Sequence, residues 1–106
     1  MAKYLLQVSY TPDGAKGLLK DGGTKRREAA RAAIGSVGGT MDAMYFAFGD
    51  YDVIVIVDAP DAASIVACSL ALNASGAVTS KTTVLITPEE VDSAAKKSPT
   101  YTAPGR

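Results

Sequence analysis

The sequence predicts one α+β domain: an antiparallel sheet with helices on one face. Three observations predict it. Stretches of alternating apolar residues take turns with stretches of helical apolar spacing, in the order β-α-β-β-α-β followed by a short third helix. The 106 residues suffice for one modest core and are too few for two. The run Val53-Ile54-Val55-Ile56-Val57 is apolar at every position, so its strand is oily on both faces.

Residues 3–10, KYLLQVSY, read as the first strand, with Tyr4, Leu6, Val8 and Tyr10 on one face. TPDG then breaks it, and a short apolar turn around Leu18 and Leu19 follows before Gly22-Gly23. Thr24 is the expected N-cap of a helix over 25–37, whose stripe is Ala30, Ala33, Ile34 and Val37. Gly38-Gly39 ends it. Residues 40–48 and 51–58 are the second and third strands. Gly49 in the link between them suits a two-residue type II′ turn with positive φ. Pro60 suits the first turn of the next helix, which buries Ile65, Cys68, Ser69 and Leu72 and ends near Asn73 and Gly76. Residues 77–87 form the fourth strand. TPEEV opens the last helix, with Thr87 as cap, Pro88 at the first position and Glu90 closing a capping box. The domain spans 1–97, and 98–106 is a polar tail with two prolines.

This order is the ferredoxin-like split β-α-β unit, with the first and third strands central and helices on one face. Val53, Val55 and Val57 point one way, Ile54 and Ile56 the other. One row is left for a partner, which predicts a homo-oligomer. The competing expectation is that the last helix or the tail covers that row.

Lysine plus arginine equals aspartate plus glutamate, so the net charge is zero and no basic field for nucleic acid exists. No apolar run reaches a membrane span of about 20 residues, and the expected location is cytoplasmic. Cys68 is the only cysteine, which rules out an internal disulfide; it is expected to be an inert core residue. With no histidine, the commonest general base, metal ligand and haem ligand is missing. Neither a metal nor another cofactor is expected.

The topology gathers the end of the first strand, the start of the first helix and the link between strands two and three at one edge. Tyr10, Asp13, Lys25, Arg26, Arg27, Asp50, Tyr51 and Asp52 belong there, with Asn73 arriving from the second helix. Arg26 lies four residues before Ala30 and so extends the buried stripe. Three basic residues at a helix start oppose its dipole and call for an anion. That anion is either a fixed carboxylate (Asp13, Asp50 or Asp52) or a ligand on the free amides after Gly22-Gly23. Tyr10, Tyr45 and Tyr51 either line a pocket with their hydroxyls or cover the sheet. The ligand-binding candidates are therefore Tyr10, Lys25, Arg26, Arg27, Tyr45, Tyr51 and Asp52.

Two function classes stay open, beside a structural assembly module. One is a homo-oligomeric module that binds a small organic or anionic molecule. The other is a cofactor-independent oxygenase or isomerase, with Asp52 as base or orienter, Tyr51 or Tyr45 as proton donor and Arg26 as anion clamp.

The segment FGDYDVIVIVDAPD, residues 48–61, resembles the signature of the GYD-domain family. The motif falls on Gly49, Tyr51 and Asp52, with Asp50 standing between the first two. The early Tyr/Leu strand, the Lys-Arg pair opening the first helix, Gly39 and Pro60 add to the likeness, which covers residues 3–90. The resemblance implies a ferredoxin-like fold that pairs as a dimeric α/β barrel. It implies no particular reaction.

Overall fold

The computed structural model describes residues 2–106. The elements are β1 (Ala2–Tyr10), α1 (Pro12–Asp21), α2 (Gly23–Ser36), β2 (Thr40–Phe46), β3 (Val53–Ala59), α3 (Ala62–Ala74), β4 (Val78–Leu85) and α4 (Pro88–Ala95). The four strands form one antiparallel sheet in the order β2-β3-β1-β4. This is the expected ferredoxin-like α+β arrangement, with β1 and β3 central.

The register follows the side-chain pattern. Tyr4 lies opposite Val57, Leu6 opposite Val55 and Val8 opposite Val53, and all six are buried beneath the helices. Ile34 of α2 and Ile65 of α3 close this core from above. Val57 and Ile65 are almost wholly removed from water, and burying each stabilises the fold by about 1.5–3 kcal/mol. Shifting β3 by one residue would send Val53, Val55 and Val57 to the opposite face, so the core fixes the pairing.

Four local expectations are corrected. The turn around Leu18 and Leu19 is the end of a ten-residue helix, α1, whose N-cap Thr11 accepts from the Gly14 amide at 3.2 Å. The Thr11 hydroxyl in turn donates to Gly76 O at 2.8 Å, which ties α1 to the turn before β4. At the start of α2 the cap is Gly22 at φ 79°, not Thr24, because the chain passes from α1 to α2 through that one left-handed residue. The β2–β3 link is no two-residue type II′ turn. Pairing stops at Phe46 and Val53, Phe48 carries the positive φ at 54°, and Gly49 does not. The link closes instead through the Ala47 amide on Asp52 O at 2.9 Å. Finally, α3 starts at Ala62 after the cap Asp61, so Pro60 precedes the helix.

The other face of the sheet carries Leu5, Gln7, Ile54, Ile56 and Tyr45. At one end Lys3 bridges Asp42 and Asp58, the latter at 2.9 Å. Asp42 reaches this position because a bulge between Met41 and Ala43 gives β2 an extra residue. The capping box of α4 forms as expected. Every residue of α4 is exposed, as are those of the tail apart from half-buried Ala103, so neither packs over this face. Among the described residues no helix is long and apolar enough to cross a membrane.

Candidate functional site

The helices α2 and α3 present small side chains to each other. Ala30 and Ala33 of α2 face Ala67 and Ala71 of α3, and methyl groups cannot fill the gap that two helix backbones leave over a sheet. The result is a cavity of about 390 Å³. Its floor is Leu6, Val8, Val53 and Val55, and it reaches Met44 and Val78. It opens to solvent along exposed Ala33, Ala67 and Ala71.

Two groups of different character stand at this apolar chamber. The backbone of β1 ends at Tyr10 and the first turn of α2 carries Arg26, and both side chains contribute to the lining. Burial pushes the Tyr10 hydroxyl above its ordinary pKa, and the charge on Asp52 adds to this; the guanidinium of Arg26 nearby works against both. Tyr10 therefore stays a protonated donor at neutral pH. The Arg26 side chain is 40% exposed, and its carboxylate neighbour is Asp21, at 3.9 Å. That separation is too long for a hydrogen bond, so no carboxylate holds the guanidinium, whose other polar neighbour is the Tyr10 hydroxyl. Asp21 closes α1, so the counter-charge to the start of α2 comes from that helix and not from Asp13, Asp50 or Asp52. Cys68 also reaches the cavity; burial raises its thiol pKa, and the sulfur lies 3.8 Å from Ala33 O.

The other sequence candidates are placed elsewhere. Lys25 is exposed and pairs with Asp21 at 3.4 Å, while Arg27 is exposed beside Glu28 at 3.4 Å. Tyr45 is 69% exposed on the open face of the sheet, because it pairs with Ile54 and shares that residue's side. Tyr51 is half-buried in the β2–β3 link, where its carbonyl accepts from Gly49 at 3.1 Å. Asp52 is committed to the backbone. Its carboxylate accepts the Tyr10 amide at 2.8 Å and its amide donates to Val8 O at 2.9 Å, extending the β1–β3 ladder past the last paired residues. Asn73 likewise accepts from the amide and hydroxyl of Ser80, at 2.9 and 3.1 Å, and fastens α3 to β4.

Of the seven ligand-binding candidates, the fold brings Tyr10 and Arg26 to the cavity and distributes the rest around it. The alanines of α3 that shape the wall escaped sequence reasoning. Their signal was alanine at helix positions where a packed core would carry leucine or isoleucine.

The Gly49-Tyr51-Asp52 motif thus caps the central pair of strands. The sequence model of the GYD domain family matches residues 4–95, from within β1 to the end of α4. The chain belongs to the GYD domain family. No curated protein and no solved structure matches it. In this GYD domain the motif's aspartate supports the strand that ends in Tyr10, and through it the position of the tyrosine at the cavity.

Proposed function

We propose that this GYD protein is a homo-oligomeric α/β-barrel protein that binds a small organic anion between its sheet and its helices. The observation that carries the reading is the 390 Å³ chamber, whose mostly apolar lining is broken by Arg26 and Tyr10 and by Ser36 and Ser75, the two serine hydroxyls being bonded to the carbonyls of Ala33 and Leu72. Its size falls within the range of small-molecule sites, roughly 300–1,000 Å³, which join apolar walls to a few polar groups. An apolar body would lie over Val8, Val53 and Val55. A carboxylate at its end would take a bidentate pair from Arg26 and a hydrogen bond from the Tyr10 hydroxyl. The oligomer is supported by the uncovered row of Leu5, Ile54 and Ile56, flanked by exposed Tyr45. A catalytic reading needs a general base at the substrate. The described residues that line the chamber include no carboxylate, and Asp52 is occupied by the β1 backbone.

Thermal shift with octanoate, octanol and inorganic phosphate tests the ligand class. Octanoate is expected to raise the melting temperature most, octanol less and phosphate least. Arg26→Ala should keep the parent's melting temperature in plain buffer and lose the advantage of octanoate over octanol. Ligand at a hundred times its Kd stabilises by about 2.7 kcal/mol, which such a scan resolves. Equal, negligible shifts from all three compounds would leave the chamber a packing defect and favour a structural assembly module.

A further inference from the structure

The cations that open α2 outnumber the carboxylates that meet them. Arg27 lies beside Glu28, and Arg31 meets the same carboxylate at 3.5 Å. Lys25 and Arg26 share the single carboxylate of Asp21, each on a different oxygen. Lys25 Nζ stands 3.4 Å from Oδ1, and Arg26 Nη1 stands 3.9 Å from Oδ2. Among the described residues neither cation has a second carboxylate within ion-pair distance. No acid lies in the first turn of α2, whose own free amides add to the positive side. The start of the helix is therefore one anion short.

The three side chains have different surroundings. Arg26 lines the chamber, and Asp21 and Lys25 do not. Lys25 is 74% exposed, whereas Asp21 is mostly buried. The left-handed turn at Gly22 sets the end of α1 against the first turn of α2, which brings Asp21 within reach of both cations. The backbone between them is held: the Gly22 amide donates to Leu18 O at 2.8 Å, and the Arg26 amide to Gly22 O at 3.3 Å. A turn of the Asp21 side chain thus suffices to change its partner, with neither helix moving.

We infer that Asp21 is a resident counter-ion of Arg26 that a carboxylate ligand displaces onto Lys25, so that Lys25, outside the chamber, helps to set the affinity of the site. The inference rests on the anion-binding reading above and adds the control of that site. Asp21 opposes an arriving carboxylate twice: it repels the like charge, and it competes for the same guanidinium. Lys25 relieves both effects by holding Asp21 on its own side. With the ligand bound, Asp21 serves Lys25 and the ligand serves Arg26, one anion to each cation. An uncharged ligand meets neither effect, so the arrangement acts on acids and not on the matching alcohols.

Isothermal titration at low salt with octanoate and octanol tests this in the parent, Asp21→Asn, Lys25→Gln and the double variant, with circular dichroism as the check on folding. Asp21→Asn is expected to tighten octanoate about fivefold, and Lys25→Gln to weaken it about threefold, with octanol unchanged in both. Once Asp21 is replaced, Lys25→Gln should lose its effect, to within about twofold. Should Asp21→Asn not fold, Asp21→Ser takes its place, and the exposed Lys25→Gln gives an independent reading. Octanoate binding that Asp21→Asn leaves unchanged or weakens would overturn the inference. So would a Lys25→Gln effect of equal size in both backgrounds, which would make Lys25 a distant charge with no hold on Asp21. Either result leaves the anion site standing. Octanoate bound no better than octanol, in Asp21→Asn as in the parent, would remove both.

Discussion

A methyl group built on Gly14 would lie 1.9 Å from the carbonyl oxygen of Ala77, and one built on Gly49 would meet nothing within 4 Å. The two glycines should therefore respond in opposite ways. Gly14→Ala forces α1 away from the turn before β4 and should cost about 1–3 kcal/mol in urea denaturation. Gly49→Val should change stability by less than about 0.5 kcal/mol, since Gly49 has neither a crowded neighbour nor a positive φ. A large loss at Gly49 would contradict the loop geometry. At Asp61, the Ser64 hydroxyl and then the Ser64 amide hold the carboxyl below its usual pKa. A depressed carboxyl contributes stability that is complete above its unfolded pKa of about 3.9 and is lost as pH falls through the folded value. Stability of the parent should therefore fall more steeply between pH 5 and pH 3 than that of Asp61→Asn, which caps without titrating. Parallel denaturation profiles for the two proteins would show that the cap makes no acid-dependent contribution.

Among the elements, α4 gives the cleanest separation of local from global stability. Its capping box joins the Thr87 hydroxyl to the Glu90 amide at 3.1 Å and the Glu90 carboxylate to the Thr87 amide at 3.2 Å. Every residue of the helix is exposed. Thr87→Ala should remove about 1 kcal/mol of helix stability and speed amide exchange at Val91, with the domain's melting temperature unchanged. A drop in melting temperature would mean that α4 docks on something in solution. This helix was legible in the sequence because its signals are all local: cap, proline and glutamate within four residues. The strands and their faces were legible for the same reason, since alternation is written residue by residue. Helix α1 was not. Gly14 and Gly17 each cost a helix about 1 kcal/mol relative to alanine, and TPDG reads equally as a turn. Contact with Gly76 and Ala77, more than sixty residues away in sequence, decides for the helix. The cavity was hidden in the same way. It arises from alanines on two helices, and their spacing is set by the sheet beneath both. Arg26 was legible as the charged member of a buried stripe, whereas Tyr45 and Asp52 were grouped with it by topology and parted from it by strand parity and by a backbone hydrogen bond.

The molecule as a whole has one face closed by helices and one left apolar. The proposed assembly predicts that a charge on the open face separates the copies and leaves each folded: the parent is expected to sediment as an oligomer and Ile54→Lys as a monomer, with an unchanged circular dichroism spectrum. A persistent dimer would locate the contact elsewhere, for instance at exposed Val66, Leu70 and Val84. The chamber lies on the opposite, helix-covered side, so the proposed binding and the proposed assembly should be separable, and Ile54→Lys should still take up octanoate. The most direct measurement of the central claim is an amide-resolved NMR titration of the parent with octanoate. Saturable shifts are expected at Tyr10, Arg26, Ala33 and Ala71 around the chamber, with Tyr45 and Lys81 on the open face undisturbed, and the response should be lost in Arg26→Ala. Shifts confined to the open face, or none at saturating octanoate, would contradict it.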